Sequence, residues 1–173
     1  RYGIHADGGM EPVDSLQHLD AVGKAERLVI EASLQHEKLQ EKELPQAIVR
    51  FVRESAFTAL NRLAALKLIE HPSRGLIPES VGQIELSKGF RQFVMVSPEA
   101  VRDKPDGGYR LYLELLFDDL GQILGVLFDR SLPQSILFPS PTCLSQILDL
   151  LNDPELAPIW TDDETIGWIY QYF

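Results

Sequence analysis

The sequence predicts a mainly α protein, an irregular multi-helix bundle with long Pro/Gly-rich connections and at most a minor β element. Three observations predict it. Apolar residues recur at three- and four-residue steps over 45–70 and again over 109–129, the period of one buried helix face. Proline and glycine cluster between such stretches. Only Phe93-Val94-Met95-Val96 reads as a short strand, and the same four residues also read as a buried turn leading to a helix. With 173 residues, 45 % of them hydrophobic, the chain is long enough for one sizeable core or two small subdomains.

Residues 1–13, with Gly3, Gly8, Gly9 and Pro12, carry no periodicity and are expected as a flexible lead-in. The helical domain is expected over 14–173, with a subdivision near 72–97. Asp14 and Ser15 are candidate caps for a first helix with its apolar side on Leu16, Leu19, Val22, Leu28, Val29, Ala32 and Leu39. Glu31, Glu37, Lys38, Glu41 and Lys42 would cover its outer face. Pro45 marks a break or the first turn of a second helix.

That second helix, Pro45 to Glu70, is the clearest element. Its apolar stripe runs Ile48, Phe51, Val52, Ser55, Ala56, Ala59, Leu60, Leu63, Leu66, Ile69. Small residues at 56, 59, 64 and 65 permit close approach of another helix. His71-Pro72 and Gly75 end it, since proline disfavours helical geometry in the residue before it.

Residues 72–92 read as a loop, followed by a helix start at Ser97-Pro98 and a turn at Asp106-Gly107-Gly108. A helix follows from Tyr109 to Asp129, with Ile123 and Leu124 among its apolar residues. Gly121 and Gly125 mark a break or a close contact within it. Thr142 is the expected cap of a helix over Cys143–Asn152 that buries Leu144, Ile147, Leu148 and Leu151. Thr161-Asp162-Asp163-Glu164 reads as an acidic helix start, favourable to the helix dipole, with Ile166, Ile169, Tyr170 and Phe173 following at helical spacing.

Charge is unevenly spread along a chain of net −10. Residues 1–44 hold 5 basic and 9 acidic side chains, residues 45–91 hold 7 and 4, and residues 92–173 hold 4 and 13. The balance argues against the whole chain wrapping a polyanion, and any nucleic-acid contact falls to the middle segment. Its candidate contacts are Arg50, Arg53, Arg62 and Lys67; the competing reading is an ordinary solvated helix face. No apolar run approaches the ~20 residues of a membrane span, and no secretory leader opens the sequence. The single cysteine, Cys143, excludes an internal disulfide and a Cys-based zinc site, and a lone thiol fits a cytoplasmic setting. The start at Arg1 and the stop at Phe173, inside an amphipathic pattern, lead us to expect a piece of a longer protein.

Motifs for chemistry are sparse. Methyl transfer from S-adenosylmethionine to adenine needs a glycine-rich strand-to-helix turn and an Asp/Asn-Pro-Pro-aromatic loop for the flipped base. Asp153-Pro154-Glu155 lacks the second proline and the aromatic, and Asp119-Leu120-Gly121 to Gly125 lies within a helical pattern. Gln40-Glu41-Lys42 fits only a variant form of a Mg²⁺ nuclease motif. His5, His18, His36 and His71 lack ligand spacing. Asp162, Asp163 and Glu164 read as a helix start before they read as a cation site. No catalytic, cofactor-binding or metal-binding residue is therefore nominated.

The run Ala56-Phe57-Thr58-Ala59-Leu60-Asn61-Arg62-Leu63-Ala64-Ala65-Leu66-Lys67-Leu68-Ile69-Glu70 resembles a helix near the front of large bacterial adenine-specific DNA methyltransferases. These are the methylases of BREX phage-exclusion, DISARM-like and type IIG restriction-modification systems. Leu115-Leu116-Phe117, Leu127-Phe128, Ile136-Leu137-Phe138-Pro139 and Asp163 to Phe173 also look like that family. The resemblance covers roughly residues 45–173. It implies a non-catalytic N-terminal helical domain that assists DNA positioning or organises a catalytic domain lying downstream. It also implies S-adenosylmethionine as the parent's cofactor, with DNA and the protein's own catalytic domain as partners. Asn61, Arg62 and Glu70 are the polar members of the matched helix, expected either to bracket neighbouring elements or to face a DNA channel. Two other readings stay open: a module docking onto other subunits of a defence complex, motivated by the acidic residues 92–173, and a divergent nuclease.

Overall fold

The computed structural model describes residues 1–41, 43–104, 106–162, 164 and 165, and no side-chain placement for residues 40 and 41. Among them the fold is mainly α, with seven α-helices and, in place of strands, a single antiparallel bridge between Ile4 and Met10. The helices are α1 (Ala21–Glu41), α2 (Leu44–Ile69), α3 (Lys88–Val96), α4 (Pro98–Val101), α5 (Tyr109–Gly121), α6 (Gly125–Phe128) and α7 (Pro141–Leu151). The chain forms two compact units, residues 1–56 with 130–138 and residues 57–129 with 139–173. The division falls within α2, at Ala56–Phe57, and not in the 72–97 connection where a subdivision is expected.

In the first unit, the core gathers Tyr2, Leu16, Leu19, Ile30, Leu34, Ile48 and Phe51, with Ile136 and Leu137 packed against it. Residues 1–13, expected as a flexible lead-in, supply part of this core. The Tyr2 hydroxyl donates to Glu26 Oε2 at 2.6 Å, and the Tyr2 carbonyl accepts from Arg27 Nε at 2.7 Å. The first helix begins at Ala21, later than the Asp14-Ser15 cap predicts, because Val13–Ser15 forms a 3₁₀ turn and Asp20 accepts the Gly23 N–H at 2.7 Å.

The buried side of α1 also differs from the expected one. Gly23, Arg27, Ile30 and Leu34 face the core, whereas Val22, Leu28, Val29, Ala32 and Leu39 are exposed. α1 carries two apolar faces, and the hydrophobic pattern alone does not say which is buried. Glu37, expected on the outer face, lies 3.3 Å from Arg50 Nε of α2 with its side chain mostly buried.

In the second unit, the C-terminal half of α2 is enclosed. Every residue from Asn61 to Leu66 is buried, which a one-sided stripe does not anticipate. Leu113 and Phe117 of α5, Phe128 of α6, Leu144 and Leu148 of α7, and Trp160 are buried in the same unit. The helix expected over 109–129 is broken: α5 stops at Gly121, α6 starts at Gly125, and Ile123, expected on the apolar side, is 81 % exposed. Phe117 and Phe128 stack across the break, ring centroids 5.6 Å apart.

Two further elements depart from expectation. Phe93–Val96 lies in α3, a helix capped by Ser87, whose Oγ accepts the Phe90 N–H. α7 starts two residues earlier than Thr142 predicts. Ser140 caps it by accepting the Cys143 N–H, and Pro141 takes the first helical position, where a missing N–H costs nothing. The turn at Asp106 to Gly108 is as expected. Gly107 and Gly108 both have positive φ, and a Cβ on Gly108 would fall 2.5 Å from Val101 Cγ1, so only glycine fits there.

Candidate functional site

The polar residues that the sequence singles out on α2 converge on internal partners in the second unit. Arg62 is 4 % exposed. Its Nε donates to the Leu127 carbonyl at 2.9 Å, its Nη2 donates to the Asp129 carbonyl at 2.7 Å, and its guanidinium lies 5.5 Å from the centre of the Phe117 ring. Those two carbonyls belong to the end of α6, where backbone acceptors lack helical partners. A planar fork of donors is suited to satisfying both at once. Arg62 therefore ties α2 to the α5–α6 corner.

Glu70 ends the same helix and works on the following connection. Its Oε2 accepts the backbone N–H groups of Ser80 at 2.5 Å and Val81 at 2.9 Å, and its Oε1 lies 3.2 Å from Lys67 Nζ. Lys67 Nζ also donates to Asn152 Oδ1 at 2.6 Å, and Asn152 Nδ2 donates to the Val81 carbonyl at 2.8 Å. One connected network thus joins α2, residues 80–81 and the end of α7. Asn61, the third member of the expected bracket, is buried, and its Oδ1 has no hydrogen-bond partner among the described residues.

The same connection is held from its other side by α5. The Tyr109 hydroxyl donates to the Ser80 carbonyl at 2.6 Å, and the Tyr112 and Ser80 hydroxyls share a hydrogen bond of 2.6 Å. Burial pushes the Tyr109 hydroxyl far above the usual tyrosine range, with the negative charge of Glu70 adding to the shift. Burial raises Tyr112 as well; its hydrogen bond with Ser80 offsets part of that rise, and Glu70 adds to it. Gly89 passes beneath these groups, where a Cβ would lie 2.1 Å from the Tyr112 hydroxyl and 2.9 Å from Ser80 Oγ.

The remaining nominated cations lie in the first unit. Arg50 Nε is 2.9 Å from Glu54 Oε1 and 3.3 Å from Glu37 Oε2. Arg53 is exposed and has no ion-pair partner among the described residues. Pro45, Gln46, Val49, Arg50 and Arg53 line a shallow open depression of about 300 Å³. Of the four candidate phosphate contacts, Arg53 alone presents an uncommitted charge.

Other nominated groups have ordinary structural roles. His5 Nε2 is 3.0 Å from Glu11 Oε1, His18 Nε2 is 2.7 Å from the Arg1 carbonyl, His71 Nδ1 is 2.8 Å from Ser73 Oγ, and His36 is exposed. Asp162 Oδ1 accepts the Glu164 N–H at 2.9 Å, closing a turn; Asp163 lies outside the described residues. Of Gln40-Glu41-Lys42, Lys42 and the side chains of the other two lie outside them as well. So does the helix expected after Thr165. Among the described residues, no group of three or more His, Cys, Asp or Glu could hold a metal ion, and no helix is long and apolar enough to cross a membrane. Asp119 to Gly125 joins two helices, so it is not a strand-to-helix cofactor turn.

Sequence reasoning misses Arg27. It is 1 % exposed, with its guanidinium split between the Tyr2 carbonyl and Glu31 Oε2 at 2.7 Å each. The signal was its place four residues before Glu31 and three before Ile30. Comparison with protein-family profiles, with curated proteins and with solved structures finds no match to this chain.

Proposed function

We propose that the chain is a non-catalytic helical accessory domain of a DNA adenine-N6 methyltransferase, acting by organising a neighbouring protein domain rather than by gripping DNA. One observation carries the second half of this reading. Arg62, Lys67 and Arg50 are engaged with carbonyls, carboxylates and an amide of their own units. A cation held in that way contributes little to the counterion release that drives phosphate binding. The first half rests on the resemblance of residues 56–70 to the methyltransferase helix. In this reading the parent transfers a methyl group from S-adenosylmethionine in the cytoplasm, and this chain supplies neither the cofactor turn nor the base-binding loop.

The alternative, docking to other subunits of a restriction or phage-defence complex, is favoured by the acidic surplus of residues 92–173 and by Met95 and Val96 standing exposed at the end of α3. The test is adenine methylation by the parent protein lacking residues 1–173. Activity should fall and be restored when the chain is supplied as a separate polypeptide, while the chain alone leaves duplex DNA unbound at 150 mM salt. Undiminished methylation, or tight salt-sensitive DNA binding by the chain, would remove the proposal.

A further inference from the structure

α1 has an unpartnered face whose spacing, size pattern and lack of charge define what fits it. Val22, Ala25, Val29, Ala32, His36 and Leu39 alternate steps of three and four residues, a 3.5-residue repeat, and all six are exposed. Ala21, Leu28 and Gln35 flank the stripe on one side and are exposed too, Leu28 by 56 %. On the other flank stand Glu26, which is engaged by Arg1 and Tyr2, and Ser33. A 3.5-residue apolar repeat on one helix is the pattern met by a second helix packing along it, knobs into holes. It runs opposite the face that holds Arg27, Ile30 and Leu34 against the core, so it is surplus to folding of the unit.

We propose that this face pairs with α1 of a second copy of the chain, in antiparallel orientation about a twofold axis. The order of side-chain sizes selects this occupant. Antiparallel pairing sets Val22 against Leu39, Ala25 against His36 and Val29 against Ala32, so that each alanine meets a larger side chain. Parallel pairing would set alanine on alanine and histidine on histidine, leaving voids in alternate layers. Twofold pairing also makes one stripe serve both partners, as an isologous interface requires.

Charge agrees with size. Each copy carries −10, so a self-association surface must avoid acids, and the central face of α1 carries no charged side chain. The stripe spans about 26 Å of helix. Two such helices bury on the order of 1,000 Å² across both copies, at the small end of specific interfaces. A weak, reversible dimer follows.

Sedimentation equilibrium of the intact 173-residue chain tests this. A reversible monomer–dimer equilibrium is expected below about 1 mM chain, tightening as salt screens the net repulsion. Val29→Glu should weaken it at least tenfold while leaving the circular-dichroism spectrum and melting unchanged, because Val29 is exposed on the side of α1 away from Ile30 and Leu34. On a Cys143→Ser background, an equimolar mixture of Val22→Cys and Leu39→Cys should cross-link into a mixed disulfide, and Val22→Cys alone should not. A monomer up to about 1 mM, a dimer indifferent to Val29→Glu, or ready cross-linking of Val22→Cys with itself would each overturn the proposal. None of these outcomes touches the accessory role, which holds for monomer and dimer alike.

Discussion

Arg62 Nη2 donates to the Asp129 carbonyl at 2.7 Å, across 67 residues of chain, from a side chain almost wholly out of water. A buried cation needs partners for its donors, and the end of α6 offers carbonyls that need donors. The residue nominated from sequence as a phosphate contact is thus explained by the fold itself. Arg62→Met keeps the volume and removes the hydrogen bonds, leaving two carbonyls without their donors. It should lower stability by about 2–4 kcal/mol, with Arg62→Lys in between because an ammonium does not reproduce the fork. Chemical denaturation followed by far-ultraviolet circular dichroism gives the comparison.

Glu70 holds residues 80–81 in place through two backbone N–H groups. Glu70→Ala should cost about 2–4 kcal/mol, since both donors stay buried without an acceptor. Amide hydrogen exchange is the sharper readout: protection at Ser80 and Val81 should fall selectively, before that of the α5 and α7 interiors. Uniform loss across the unit would contradict the role given to this carboxylate.

Gly89 is required by contact rather than by dihedral angle. Gly89→Ala places a methyl against the Tyr112 hydroxyl and should destabilise by about 1–3 kcal/mol. Tyr112→Phe removes the oxygen it meets. The double variant should therefore be less destabilised than the sum of the two single changes, a coupling that a thermal-melting cycle measures directly.

Two raised tyrosines make stability fall at alkaline pH. Tyr109 and Tyr112 ionise less readily in the folded chain than in the unfolded one, where the pKa is near 10. Their contribution is therefore whole below about pH 10 and is lost as pH rises from there toward the folded values, at up to about 1.4 kcal/mol per pH unit for each. Stability measured between pH 8 and 11.5 should bend downward near 10. Tyr109→Phe should flatten that bend while lowering stability at neutral pH by about 1 kcal/mol through the lost bond to Ser80.

α2, α5 and α7 are legible in the sequence as helices because each has one dominant apolar period, but the end of α5 at Gly121 and the start of α7 at Pro141 are not. α1 is legible as a helix but not in orientation: Val22 and Val29 compete with Ile30 and Leu34, and an arginine completes the buried face. α3 is obscured by Phe93-Val94-Met95-Val96, residues that favour strands locally. Ser87 capping, and Phe90 set edge-on to Tyr109 at 5.1 Å, override that preference. Of the bracket expected at Asn61, Arg62 and Glu70, Arg62 and Glu70 hold internal partners that the sequence does not name, and Asn61 Oδ1 has none among the described residues. Bonds such as that between Asn152 and Val81 span 71 residues, and no periodicity encodes them. The cap of α7 was misplaced by two residues, since Ser140 and Thr142 are equally good acceptors until Pro141 fixes the first turn.

The central claim is that charged residues on α2 hold the fold instead of waiting for phosphate. Urea denaturation of Arg62→Ala beside Arg53→Ala, followed by the fluorescence of tryptophan, with Trp160 buried in the second unit, tests it most directly. Arg62→Ala should shift the midpoint to markedly lower urea, while Arg53→Ala, on an exposed and uncommitted side chain, should leave it within error of the parent. An Arg62→Ala midpoint equal to that of the parent chain would contradict the account.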